Sequence, residues 1–197
     1  MISWKKRNDW MLGATKFAVC FIVFFGLLET ASADREIYEN TLSLRGDYRM
    51  GVGGSVGGIL GLAAVNIELN IEDQDGVVAG FGRGPVYNSF GMLWKHVFNG
   101  DYISTYSKVG MSRWYNSIGN IDTVNSQSPT LNRAMGDKLP ADGRFACDFI
   151  VGALGIQYTQ LAGEARGNSF FMEVDLLAST QNFSLIPSGS VGYMYYF

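Results

Sequence analysis

Apolar and polar residues alternate along many short stretches of this chain, which is the periodicity of a half-buried β-strand. In residues 65–72, Val, Ile, Leu and Ile alternate with Asn, Glu, Asn and Glu. Residues 170–176 repeat the pattern, with Phe, Met, Val and Leu set against Phe, Glu and Asp. Eight strands are predicted in this way, over residues 41–50, 58–72, 77–83, 89–98, 102–115, 144–161, 170–176 and a last strand ending at 197.

Turn signals separate these strands. Short polar connections follow every second strand, at residues 73–76 (DQDG), 99–101 (NGD) and 162–167 (AGEARG). Asp-Gly is a strong hairpin signal. The other connections are mostly longer or irregular, above all the polar segment 116–143, although the glycine-rich connection 51–57 is short. This order predicts an antiparallel up-and-down sheet with short turns at one end and longer loops at the other.

The amino-terminal residues have the composition of an export signal. Lys5, Lys6, Arg7 and Lys16 precede the apolar stretch 17–28, and Ala31-Ser32-Ala33 supplies small residues at the positions that a signal peptidase reads. We expect residues 1–33 to be a signal peptide cleaved after Ala33, which leaves 34–197 as one domain. The apolar stretch is too short for a spanning helix, which needs about 20 residues.

Composition narrows the class of protein further. Charged residues make up 17% of the chain, against about 25% in ordinary soluble proteins. The formal net charge of −3 offers no basic surface for a nucleic acid, so we expect no nucleic-acid partner. After cleavage Cys147 would be the remaining cysteine, which excludes an internal disulfide. Low charge without a long apolar segment is what a barrel facing lipid requires.

The final strand carries the most specific signal. Val191, Tyr193, Tyr195 and Phe197 share one face, because successive side chains of a strand point in opposite directions. With a terminal Phe, the strand resembles the last strand of bacterial outer-membrane β-barrels. The resemblance is to small OmpA-type barrels, with the OmpW type as a close relative, and implies insertion by the barrel-assembly machinery. The aromatic residues of this strand at one end, and Trp114 at the other, are expected to form the interfacial aromatic girdles of such a barrel. A soluble edge strand, or a periplasmic lipocalin-like barrel, would show the same alternation.

An all-β, eight-stranded antiparallel transmembrane barrel in the bacterial outer membrane would turn its polar faces inward. Eight strands leave an interior just wide enough for side chains to fill. Buried charges should pair there, so we expect a plugging ion-pair network; a narrow polar path past Arg45, Glu68 and Lys108 is the alternative. By the alternation of their strands, Lys95 and Asp148 would also face the lumen, although Asp148 shares its face with apolar residues. The network is predicted to contain Arg45, Asp47, Arg49, Glu68, Glu72, Lys108, Glu173 and Asp175.

Candidate chemistry is sparse. The mature chain has one histidine, His96, in the fourth strand, and outer-membrane lipid A deacylases and palmitoyltransferases place theirs near the outer leaflet. His96 should lie at the opposite level, so we expect no catalytic role. One His and one Cys cannot form a typical metal site. The calcium-like segment 73–76 lacks the acid required at position twelve of such a loop, where Gly84 stands. We expect no metal and no cofactor.

Two classes of function remain. The first is a non-enzymatic scaffold whose outer loops, above all residues 116–143, meet an extracellular ligand or surface. The second is passive passage of a small polar or hydrophobic solute, as the OmpW type implies. An outer-membrane lipid-modifying enzyme is a distant third. In each case the lipids of the outer membrane are partners of the barrel wall.

Overall fold

The computed structural model describes residues 38–98, 100–118 and 142–197. The expected signal peptide, its cleavage after Ala33 and nearly all of the segment 116–143 lie outside these residues, and so do the bounds expected for the mature domain. In the part described, no helix is long and apolar enough to cross a membrane.

The strands form one closed antiparallel sheet. Each strand pairs with its neighbour in the chain, and β8 returns to pair with β1, with Val52 opposite Tyr195. The predicted eight-stranded up-and-down barrel is therefore confirmed. The strands are β1 Met50–Gly57, β2 Ala63–Asn70, β3 Asp75–Arg83, β4 Asn88–Val97, β5 Ile103–Asn116, β6 Phe145–Thr159, β7 Asn168–Ser179 and β8 Leu185–Tyr196.

The prediction of a first strand over 41–50 was wrong. Thr41–Asp47 is an α-helix, α1, whose amino end is capped by Asn40 accepting from the Ser43 backbone N–H at 2.9 Å. Strand β1 instead occupies the glycine-rich segment that was read as a connection. The helix lies at one end of the barrel with Leu44 and Arg45 fully buried. The residues that seemed to alternate along a strand therefore form a plug.

Glycine in β1 reflects close packing. A Cβ on Gly53 would lie 1.9 Å from the Tyr193 carbonyl oxygen, and one on Gly51 would lie 2.9 Å from the Tyr196 ring. Both sites leave no room for a side chain, so the strand cannot show the apolar alternation by which the other strands were recognised. Residues 51–57 were therefore read as a connection, because the neighbouring strand leaves no space for the side chains that reveal a strand.

The two ends of the barrel differ in their connections. The terminal end, where β1 begins and β8 ends, carries α1 and the connections 71–74, 98–102 and 160–167. The opposite loop end carries 58–62, 84–87, 117–144 and 180–184. The expected difference in length therefore rests on 117–144 alone. Within 58–62, Gly58–Leu60 forms a 3₁₀ turn that folds into the barrel.

The exterior of the barrel is apolar and its interior is closely packed. Val174, Phe81 and Leu154 on the outer face are 71%, 70% and 69% exposed, whereas the charged groups of Glu68 and Lys95 are buried within. A soluble barrel would carry its apolar side chains inward. An apolar outer band around a polar interior is the arrangement of barrels that span a lipid bilayer.

Candidate functional site

A buried ion-pair cluster lies in the half of the lumen next to the terminal end. Glu68 on β2 is paired with Arg45 of α1, while its second carboxylate oxygen accepts from Lys95 Nζ at 2.8 Å and from the Tyr196 hydroxyl at 2.9 Å. Lys95 Nζ also donates to Gln157 Oε1 at 2.7 Å. Glu68 thus ties the plugging helix to the barrel wall, and this cluster contains one more cation than anions.

A second cluster lies nearer the loop end. Glu173 Oε2 accepts from Lys108 Nζ at 2.6 Å and from the Tyr106 hydroxyl at 2.8 Å, and Ser190 donates to its other oxygen at 2.9 Å. The Tyr106 ring joins the two clusters, since Lys95 Nζ and Lys108 Nζ lie 4.6 and 5.0 Å from its centroid. Contacts of this kind favour a cation over the ring face. The polar lumen is therefore one connected network.

Asp175 lies beside the second cluster without a hydrogen bond of its own. The residue is 1% exposed, and neither carboxylate oxygen has a hydrogen-bond partner in the part of the chain described. A Cβ on Gly58, at the start of the 3₁₀ turn, would lie 2.9 Å from Asp175 Oδ2. The carboxylate thus sits directly beneath that turn, where its burial opposes stability.

The structure places the other predicted lumen charges elsewhere. Asp47, Arg49 and Glu72 are exposed at the terminal end, with Arg49 Nη2 3.7 Å from Asp73 Oδ1. They lie outside the lumen because residues 47–49 lead from α1 into β1 and residue 72 belongs to a turn. Asp148 faces outward with its apolar neighbours, where Arg113 binds it at 2.7 and 2.9 Å.

Sequence reasoning missed the uncharged members of the network. Tyr106, Gln157, Ser190 and Tyr196 complete the hydrogen bonds of the lumen charges. The alternation of each strand could have identified them. Each lies on the lumen-facing side of its strand, either beside a predicted interior charge or opposite the apolar side chains of the outer face. Attention to charge alone left them out.

The loop-end half of the lumen is apolar. Ile59 and Leu60 of the 3₁₀ turn enter a buried cluster, and the Trp114 ring stacks on Tyr87 with centroids 4.5 Å apart. Burial raises the pKa of the Tyr87 phenol to about 12, so the ring stays uncharged. The other buried members are Leu93, Phe145, Cys147, Phe149, Val151, Leu177 and Ile186.

Side chains of the wall hold the 3₁₀ turn in place. Trp114 Nε1 donates to the Ile59 carbonyl at 2.7 Å, Ser112 donates to the same oxygen at 3.2 Å, and Ser89 donates to the Leu60 carbonyl. Positive φ angles at Gly57, Gly58 and Gly61 turn the backbone inward and out again. The turn is therefore an inserted plug with glycine on both sides.

Very little space remains between the two halves of the lumen. A cavity of about 10 Å³, measured for the centre of a water-sized sphere, lies among Ser55, Asn66, Lys108, Glu173 and Ser190. A single water molecule needs roughly 10–15 Å³ by this measure. The space left at this level is therefore about that of one water molecule.

The last strand presents the predicted residues to the exterior. Val191 and Phe197 are exposed there, and Tyr193 and Tyr195 are half-buried on the same face. The ring centroids of Tyr195 and Phe197 lie 6.2 Å apart at the terminal end. Trp114, expected in an interfacial aromatic girdle, is instead 2% exposed inside the lumen. Recognition of this strand by the assembly machinery stays a prediction.

No metal-binding group of three or more His, Cys, Asp or Glu side chains occurs among residues 38–98, 100–118 and 142–197. The polar side chains of the lumen are engaged mainly with one another. The described side chains thus occupy much of the lumen, and the outer wall is apolar.

No protein-family model matches the chain, and no curated protein matches it. Solved structures do. The amino-terminal β-barrel domain of Pseudomonas aeruginosa OprF is 14% identical, covering 74% of this chain and 95% of that one, with a TM-score of 0.46. Yersinia pestis Ail in a phospholipid bilayer nanodisc is 12% identical, covering 75% and 98%, with a TM-score of 0.40.

A crystal structure of Yersinia pestis Ail with the heparin analogue sucrose octasulfate is also similar, at 12% identity, 75% and 95% coverage and a TM-score of 0.42. At these identities the likeness concerns the fold. An apolar outer band around a closed eight-stranded sheet with charged side chains in its lumen is the arrangement of membrane-spanning barrels. The chain is a closed eight-stranded β-barrel with an apolar outer wall, and its role must be argued from its own residues.

Proposed function

We propose that this protein is a closed outer-membrane scaffold that acts through the segments at its loop end and not by conducting solutes. The observation that carries the proposal is the continuous filling of the lumen. Helix α1 and Arg45 occupy the terminal end, the ion pairs of Glu68 and Glu173 occupy the middle, and Ile59 and Leu60 occupy the loop end. An interior filled by paired side chains favours a rigid scaffold that carries loops over a conducting pore.

Planar-bilayer conductance tests this closure. The folded wild-type barrel should leave the bilayer silent at salt concentrations where porins conduct. An Arg45→Ala variant removes the side chain that joins α1 to Glu68, so brief openings are expected from it. Arg113→Ala is the matched control, because Arg113 lies on the outer wall paired with Asp148. Reproducible wild-type channels that Arg45→Ala alters and Arg113→Ala does not would refute the closed scaffold.

The proposed interaction surface is the segment 116–143, which joins β5 to β6 at the loop end. Loops on rigid scaffolds commonly carry binding functions. Limited proteolysis of intact cells that carry the barrel in their outer membrane, with protease added outside, tests its position. Cleavage within 119–141 that leaves a folded, heat-modifiable barrel supports an outward-facing segment that the fold does not need. Protection from the outside together with cleavage from the inside would refute it.

The inserted 3₁₀ turn favours a second candidate, passage or binding of a small apolar solute. Withdrawal of Ile59 and Leu60 about their flanking glycines would open a chamber lined by apolar side chains, Cys147 among them. The reactivity of Cys147 with a small maleimide measures this opening directly. A thiol that stays unreactive until the barrel unfolds supports the closed scaffold. Reaction in the folded barrel at a rate well above that of global unfolding favours passage.

A further inference from the structure

A carboxylate without a partner lies directly beneath the inserted 3₁₀ turn. Asp175 on β7 is 1% exposed, and neither of its carboxylate oxygens has a hydrogen-bond partner in the part of the chain described. A Cβ on Gly58 would lie 2.9 Å from Asp175 Oδ2 and 2.7 Å from Ser190 Cβ, so the backbone of the turn covers this carboxylate. Buried polar groups in native proteins are nearly always hydrogen-bonded, and an exception requires an explanation.

The charged groups near Asp175 do not compensate its charge. Its charged neighbours are Glu173 on the same face of β7 and Lys108 on β5. Lys108 Nζ forms its ion pair with Glu173 Oε2 at 2.6 Å, and the Tyr106 hydroxyl donates to the same oxygen at 2.8 Å. Both groups of β5 are therefore engaged by Glu173, which itself repels a negative charge on Asp175. The second cluster thus holds two acids and one base.

The other elements packed against Asp175 bring no titratable side chain to it. Opposite Asp175 in the sheet stand Ala153 on β6 and Ser188 on β8, and the turn Gly58–Leu60 contains glycine, isoleucine and leucine. A carboxylate that is buried without a hydrogen bond or a counterion is costly, and its neutral form is much less so. When the turn leaves the lumen, water can reach this group and solvate its charge.

The backbone of the turn is suited to movement. Gly57, Gly58 and Gly61 flank it with φ angles of 80°, 79° and 98°, and glycine changes φ without steric cost. The closed position is favoured by the apolar contacts of Ile59 and Leu60 and by the hydrogen bonds to their carbonyls. Charge on the carboxylate beneath the turn opposes the same position. The ionisation of one side chain therefore changes the balance between the closed and the open turn.

We propose that Asp175 makes the closure of the 3₁₀ turn sensitive to pH, because the turn closes over the neutral carboxyl group and opens more readily when that group ionises. The inference rests on the movable turn of the second candidate function and names what controls it. The closed turn disfavours the charged carboxylate and the open turn exposes it to water, so the closed form binds the proton more tightly. Linkage then requires that opening increase as the pH rises. Acid at the loop end should keep the lumen shut.

The reactivity of Cys147 with a small maleimide in the folded barrel tests the proposal between about pH 5 and pH 8, where a solvated aspartate is ionised. At each pH the rate is divided by the rate for the same protein unfolded in urea, which removes the ionisation of the thiol itself. In the wild type this ratio should rise roughly tenfold with pH, the factor that corresponds to one unit of differential proton affinity. Asp175→Asn keeps the shape of the side chain but cannot ionise. Its ratio should stay flat, close to the wild-type value at the acidic end.

Asp148→Asn is the matched control, because it makes the same chemical change on the outer wall, where Asp148 pairs with Arg113. It should keep the wild-type rise. His96 lies on the outer wall at the terminal end of β4 and is present in all three proteins, so its own titration cancels in the comparison. Labelling at a rate that does not change with low urea identifies local opening, which exposes little surface.

A flat wild-type ratio, or a rise that survives Asp175→Asn, would overturn the proposal. Labelling that follows global unfolding would also overturn it, and so would a thiol that never reacts in the folded barrel. The last result would nevertheless support the closed scaffold. Conductance plays no part in this readout, so the pH-sensitive turn and the closed lumen can fail separately.

Discussion

Replacement of Glu68 by Gln should be among the most damaging isosteric changes in this barrel. Glu68 is fully buried and accepts from Arg45, Lys95 and Tyr196. The amide preserves the shape of the side chain but removes its charge. Two buried cations then lose their shared counterion, and the remaining lumen acids do not reach them with a hydrogen bond or ion pair in the described structure.

The magnitude follows from this loss of compensation. Breaking a buried ion pair by removing one partner costs about 3–5 kcal/mol, mostly because the other charge stays buried and unpaired. Because Glu68 serves two cations, we expect a loss near the upper end, about 4–5 kcal/mol. Helix α1 should also loosen, since Arg45 is its ion-pair link to the wall.

Urea unfolding of the barrel in lipid vesicles, followed by tryptophan fluorescence, measures the free energy of unfolding. Asp73→Asn is the matched control, because it makes the same chemical change in a half-exposed pair with Arg49. Exposed pairs contribute about 0–1 kcal/mol. If Glu68→Gln lost no more stability than Asp73→Asn, the lumen network would not be a principal source of stability, and the reasoning would be wrong.

Other substitutions test the remaining features of the lumen by the same unfolding assay. Asp175→Asn removes a buried charge that lacks a hydrogen-bond partner and should raise stability by about 1–2 kcal/mol; no change or a loss would mean that the carboxylate is compensated. Leu60→Ala should cost about 2–4 kcal/mol through the cavity it leaves and should expose Cys147 to maleimide; an unreactive thiol would contradict its place beneath the plug. Gly61→Ala should cost more than Gly163→Ala, about 2–3 against about 1 kcal/mol, because both have positive φ but only at Gly61 would a Cβ meet backbone, 2.8 Å from Gly84 N; equal losses would refute that close approach.

Local sequence identified the strands that face lipid on one side and the lumen on the other. Residues 65–70 and 170–176 alternate cleanly because each face of those strands meets a single environment. The same logic placed Glu68, Lys108, Glu173 and Asp175 inside. The partners of these charges could not be read from spacing, since Glu68 and Tyr196 are 128 positions apart along the chain.

The strand predictions were wrong in two places. In one, apolar and polar residues alternate in a helix; in the other, a strand lacks that alternation. Leu42 and Leu44 imitate a strand, yet their segment is a helix with its own capping box. Strand β1 shows glycine at the positions where neighbouring backbone and rings leave no space. Trp114 was assigned to the girdle because a large aromatic residue was expected to face lipid. The sequence does not reveal that the lumen at its level is apolar and can bury the ring.

The sequence by itself determined that the chain is built of alternating strands and which side chains share a face. The aromatic residues on one face of β8 and the low charge of the chain indicated the membrane. Tertiary structure alone decided that α1 and the 3₁₀ turn enter the lumen from opposite ends, and that the Asp175 carboxylate lies beneath that turn. The physical reason is that one face of each strand becomes the lumen face only when β8 pairs with β1 and closes the sheet. The register of that closed sheet then makes neighbours of residues that are distant in the chain.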